Sequence, residues 1–149
     1  MNINFIGVGA IGLPMALQIQ KAGHQVTGLD VSDTVISNAN ASGLPTVAGL
    51  SQAPQADMVV VMVATPDQLA GLIGQITQPV PGQLWIIMST VGPQSMRDQG
   101  ALLQRMGMRV VDAPVTGGVA RAKTGSLVIF AAGAEEDVAA ATPILKCMG

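Results

Sequence analysis

Short, strongly apolar runs alternate with longer segments of mixed polarity along the whole chain. The runs cover residues 3–6, 25–29, 58–63, 84–88, 108–111 and 127–131. Most are rich in Val and Ile and show no polar alternation, the pattern of strands buried on both faces. The segments between them, 10–22, 32–41, 66–77, 93–105 and 135–146, have the length of helices. In the first, Ile11, Met15 and Ile19 recur at helical spacing, and Gly12 and Ala16 add a stripe of small residues suited to close packing on a sheet. Gly23 stands where a helix C-cap belongs, Lys21 precedes it in the last turn, and Pro66 and Pro93 stand at helix starts. Strand and helix in alternation predict a parallel sheet with right-handed crossovers. The chain shows no linker, repeat or low-complexity tract, so one doubly wound α/β domain is expected over residues 1–149.

Composition narrows the picture. Hydrophobic residues make up 49% of the 149 and charged residues 11%, which excludes a disordered chain. A net charge of −2 favours neither nucleic acid nor an anionic membrane. No apolar run approaches the roughly 18 residues of a membrane span. The N-terminus lacks the basic residues of a signal peptide, since none precedes Lys21. Cys147 is the single cysteine and His24 the single histidine, so neither an internal disulfide nor a zinc spacing is present. A cytoplasmic location is the expectation. The nine Met and Trp85 read as core filling, and His24 as a surface turn residue.

Candidate chemistry begins at Gly7-Val8-Gly9-Ala10-Ile11-Gly12, a GxGxxG sextet between the first apolar run and the first helical segment. In isolation such a sextet marks only a tight turn. In this context each glycine has a task. Gly7 permits the sharp turn, Gly9 lacks the Cβ that would block a pyrophosphate, and Gly12 lets the helix lie close to the strand. Free N–H groups at the helix start then face phosphate oxygens. Asp30 ends the second strand, where a carboxylate accepts hydrogen bonds from a ribose diol. A Rossmann fold that binds a dinucleotide is therefore expected. Asp30 would repel a 2′-phosphate, and no Lys or Arg occurs between Lys21 and Arg97 to attract one. NAD is expected in preference to NADP.

Three motifs resemble the β-hydroxyacid dehydrogenases, the family of 3-hydroxyisobutyrate dehydrogenase, tartronate semialdehyde reductase and 6-phosphogluconate dehydrogenase. They are GVGAIGLPMALQIQKAGHQVTGLD at 7–30, STVGP at 89–93 and DAPVTGGVARAKTGSL at 112–127. The resemblance covers the whole chain. It implies that Gly7, Val8, Gly9, Ala10, Ile11, Gly12 and Leu13 line the pyrophosphate and that Asp30 holds the adenosine ribose. It implies further that Val63 and Ala64 border the cofactor, that Gln68 reaches it and that Thr90 lies near the nicotinamide ribose. The family usually has Pro where Ala64 stands. Read without the family, Thr90 is a strand-end hydroxyl capping the helix at Pro93. The resemblance makes Thr116, Gly117 and Gly118 the site of the substrate carboxylate, with threonine in place of the usual serine. A hydroxyl and two glycines at a helix start also suit an anion on physical grounds, or an ordinary N-cap. Arg121 and Lys123 follow, either gripping a second anionic group or solvated.

The activity so implied is hydride transfer between a nicotinamide cofactor and a small 3-hydroxyacid, with a small carboxylate substrate and a homo-oligomer expected. Such transfer needs a general acid/base. The family's is a lysine in a GxGxxxKxxNN-like pattern, carried by an all-helical domain after the dinucleotide domain. The chain ends ILKCMG at Gly149 without that pattern, and Lys146 does not match it. No catalytic residue is therefore expected within residues 1–149, and the helical domain is expected to be absent. Two alternatives stay open: a stand-alone NAD-binding module without turnover, and a methyltransferase, which also uses a glycine turn and an acid. GLPMA and TGG argue against the last.

Overall fold

The computed structural model describes all residues 1–149. The elements in order are β1 (Asn2–Ile6), α1 (Gly12–Lys21), β2 (Gln25–Leu29), α2 (Asp33–Ala41), β3 (Thr46–Val47), β4 (Met58–Val61), α3 (Pro66–Gly74), β5 (Leu84–Ile87), α4 (Pro93–Arg105), β6 (Arg109–Asp112), β7 (Val115–Thr116), α5 (Gly118–Thr124), β8 (Val128–Ile129) and α6 (Glu135–Met148). Six strands form one parallel sheet in the order β3-β2-β1-β4-β5-β6. The chain winds one way from β1 to β3 and the other way from β4 to β6, so the sheet is doubly wound with its switch point between β1 and β4.

The continuous apolar runs have their reason in two cores. Alternate strand residues point to opposite faces. Ile3, Phe5, Val60, Leu84 and Ile86 pack with Met15, Ile19, Ile144 and Met148 of α1 and α6. Ile6, Val59, Val61, Trp85 and Ile87 pack with Leu69 and Ile73 of α3 and Leu103 of α4. Trp85 is core filling, as expected. The helix boundaries follow local chemistry. Thr65 and Gln68 form a capping box with Pro66 in the first turn of α3. Ser32 caps α2 by accepting the Val35 N–H at 3.4 Å. Past α1, Ala22 is the C-cap and Gly23 takes the left-handed φ of +103°.

Two expectations require correction. The run at 127–131 is not a strand of the main sheet. Only Val128–Ile129 is extended, and it pairs antiparallel with β7 in a small ribbon beyond β6. Leu127 is apolar because it is buried under α6, its N–H bonded to Met148 O at 3.1 Å, while Phe130 is exposed. The sixth strand of the main sheet is instead β3, a two-residue edge too short to leave a hydrophobic pattern.

Candidate dinucleotide site

At a switch point two loops leave the carboxyl ends of adjacent strands in opposite directions and open a crevice. Here those loops are the glycine turn after β1 and residues 62–65 after β4. Gly7 has φ +92°, and a Cβ on it would press into the Met62 carbonyl across the crevice floor. Its N–H donates to Leu29 O at 2.8 Å, which ties the turn to β2. Gly12 meets the end of β1 so closely that a Cβ would overlap the Gly7 carbonyl oxygen and lie 2.9 Å from its carbon. Gly9 is different. A Cβ there would meet no protein atom within 4 Å, because it faces open crevice. The N–H groups of Gly9, Ala10, Ile11 and Gly12 donate to no backbone acceptor. Four unbonded donors at the start of a ten-residue helix, beside an open glycine, fit an anionic pyrophosphate.

Asp30 sits half-buried at the same edge. Val8 N–H donates to its Oδ2 at 3.2 Å and Ser32 N–H to its Oδ1 at 3.0 Å. The carboxylate is thus fixed in place by two backbone donors, and an ionised carboxylate keeps further acceptor sites for a ligand hydroxyl. The glycine turn, Asp30 and the β4 loop enclose a cavity of about 420 Å³ lined by Gly7, Gly9, Asp30, Val63, Ala64 and Gln68 among others. Gln68 Oε1 accepts the N–H groups of Ala64 (2.8 Å) and Thr65 (3.2 Å), so this side chain shapes the loop that borders the cavity.

Other expected residues lie elsewhere. Val8 and Leu13 are buried; Val8 contributes its N–H to Asp30, and Leu13 packs into the larger core. Thr90 is exposed after β5 and does not line the cavity. It does not cap α4 either, whose N-cap is Gly92 without a side-chain bond. Thr116, Gly117 and Gly118 lie together at the end of β7 and the start of α5, outside this cavity. Gly117 (φ +132°) is the N-cap with no side-chain bond, so the Thr116 hydroxyl is not a helix cap. Arg121 and Lys123 are exposed and make no ion pair; the ion pair of the chain is Arg109–Asp137 at 3.1 Å. His24 sits at the opposite edge of the sheet, its Nδ1 3.1 Å from the Met1 amino group. No cluster of His, Cys, Asp or Glu could hold a metal.

The cavity also holds residues that sequence reasoning missed. Val31 is 88% exposed, and Leu50, Gly71, Leu72 and Gln75 complete the wall. The one local signal in the sequence is Val31, an apolar residue directly after Asp30. Leu50 stands on a short 3-10 turn outside every periodic segment, and Gly71 is hidden within a helix.

Fold, switch point and glycine turn define a dinucleotide-binding domain. The sequence profile described as the NAD binding domain of 6-phosphogluconate dehydrogenase matches residues 2–149, and the chain belongs to that family. It is 33% identical over 153 residues to the NAD-dependent L-serine dehydrogenase of Pseudomonas aeruginosa, covering 99% of this chain and 51% of that protein. It is 33% identical over 152 residues to the mitochondrial 3-hydroxyisobutyrate dehydrogenase of Bos taurus, covering 99% of this chain and 45% of that protein. The structure of Mycobacterium tuberculosis 3-hydroxyisobutyrate dehydrogenase with L-serine superposes with a TM-score of 0.95 at 32% identity, over 99% of this chain and 52% of that one. The chain spans about half the length of the relatives it matches.

Proposed function

We propose that residues 1–149 bind NAD(H) and form the cofactor half of an oxidoreductase acting on a small 3-hydroxyacid of the 3-hydroxyisobutyrate type. One observation carries the cofactor assignment. Asp30, held by the Val8 and Ser32 N–H groups, faces a crevice whose lining contains no cation. A ribose diol donates to that carboxylate, whereas a 2′-phosphate meets only like charge. The unbonded N–H groups from Gly9 to Gly12 hold the pyrophosphate. NAD supplies the hydride acceptor when bound. Val63, Ala64 and Gln68 wall the crevice, with Thr90 near the reactive end. Thr116, Gly117 and Gly118 bind the substrate carboxylate through a hydroxyl and unblocked backbone donors. The hydroxyacid relatives support the substrate class.

A second reading, NAD binding without turnover, is favoured by one observation. Asp30 is the only ionisable side chain of the cavity, and it is engaged as an acceptor. No acid/base for an alcohol proton stands nearby, and in our reading a helical domain outside residues 1–149 supplies it. Calorimetric titration with NADH and NADPH tests the cofactor assignment, with tighter NADH binding expected; equal or tighter NADPH binding overturns it. A reading frame that continues past Gly149 into a helical domain separates the two readings, and incubation of NAD-saturated chain with 3-hydroxyisobutyrate and related acids tests the lack of an acid/base that both share. No NADH formation is expected from residues 1–149. Turnover of order 1–10³ per second, the ordinary enzymatic range, would place an acid/base within them.

A further inference from the structure

Resting on the NAD assignment, we propose that Gly71 is a specificity-determining residue of the cofactor site: its missing side chain makes room for the flat base of the adenosine against α3. Gly71 lies inside α3, where glycine is among the poorest helix formers. Its backbone does not require glycine, since it is absent from the positive-φ positions. Packing does not require it either, because a Cβ there would meet no protein atom within 4 Å. The space that a side chain would enter is the cavity, which Gly71 lines. The same combination of an open Cβ position and a place in the lining recurs at Gly9 on the opposite wall.

The surroundings state what fits. Asp30 fixes the ribose end, and the exposed Val31 side chain with Leu50 and Leu72 offers apolar surface. The Gln75 amide stands at the same wall with no protein hydrogen bond to its side chain, free for a polar edge. An uncharged planar heterocycle meets these demands: apolar faces, polar rim, and a thickness that a bare helix backbone admits and a branched side chain does not.

The test uses Gly71→Leu and Gly71→Ala, with Gly74→Ala as control. Gly74 is the last residue of α3, equally open, and outside the cavity lining. Thermal melts and calorimetric titrations with NADH and with ADP are run on each. Gly71→Ala should melt higher than wild type, through helix propensity, yet bind both ligands several-fold more weakly. Gly71→Leu should lose about tenfold or more, the scale of a blocked contact. Gly74→Ala should bind as wild type. If wild type binds NADH and a folded Gly71→Leu binds within twofold of it, the proposal is overturned while the NAD assignment stands. Equal losses in Gly74→Ala would overturn it too, by tracing the effect to the helix. Should Gly71→Leu fail to fold, unweakened binding by Gly71→Ala decides against the proposal. Wild type binding neither ligand overturns the NAD assignment, and this proposal with it.

Discussion

Gly12→Ala is expected to cost this domain stability rather than ligand affinity alone. The added methyl would overlap the Gly7 carbonyl oxygen, lie 2.9 Å from the Gly7 carbonyl carbon and 3.3 Å from Phe5 Cε1, where ordinary contacts begin near 3.4 Å. Two of these atoms are backbone, so no rotamer change relieves them. Helix α1 must lift away from β1. Met15, Ala16 and Ile19 on that helix are completely buried, so lifting it opens the larger core. Overpacking costs about 1–3 kcal/mol where side chains can adjust, and a backbone clash belongs at about 3 kcal/mol or above. For a domain of this size that lowers the melting temperature by about 6–12 °C. It is a large share of the roughly 5–15 kcal/mol that holds a domain folded. Far-UV circular dichroism melts of Gly12→Ala beside Gly9→Ala measure it, since a methyl on Gly9 meets nothing within 4 Å and should leave the melt unchanged. A Gly12→Ala melt within about 2 °C of wild type, less than 1 kcal/mol by the same scaling, would refute the close helix–strand contact.

Three further outcomes are expected. Gly9→Val should fold normally, since its position is open, but fail to bind NADH; titration and circular dichroism on one sample decide it, and undiminished binding would remove the pyrophosphate from this turn. Asp30→Ala should weaken NADH binding by about 1.5–3 kcal/mol, the scale of hydrogen bonds to a charged group; an unchanged Kd would show that no ribose lies on the carboxylate. Burial holds the Asp112 carboxyl above its ordinary value, so the neutral form favours the fold. That contribution is complete below the unfolded value of about 3.9 and is lost as pH rises through the raised folded value. Asp112→Asn should therefore melt above wild type at neutral pH, with the gap closing as pH falls toward about 4; a gap that widens in acid would contradict it.

The sequence by itself determined the parallel sheet, its main helices and the floor of the site. Runs such as 58–61 and 84–87 carry apolar side chains at every position because a parallel strand is covered on both faces. That signal needs no partner to be read. The same holds for Gly7, Gly9, Gly12 and Asp30, whose chemistry is written in one strand–turn–helix–strand unit. Tertiary structure decided what depends on distant segments meeting. β3 is a strand only because residues 46–47 find Gly28 and Leu29 at the sheet edge. The apolar run at 127–131 enters a ribbon instead of the sheet because Leu127 is drawn under α6 and β7 offers the hydrogen bonds. The far wall of the crevice could not be read from the chain for the same reason. Leu50, Gly71 and Gln75 carry no local pattern; the segment after β3 brings Leu50 to the cavity that Asp30 lines, and the crossover that carries α3 back over the sheet brings Gly71 and Gln75 there. Local periodicity fixes which residues are buried; which buried and open surfaces face one another is fixed by packing across the whole domain.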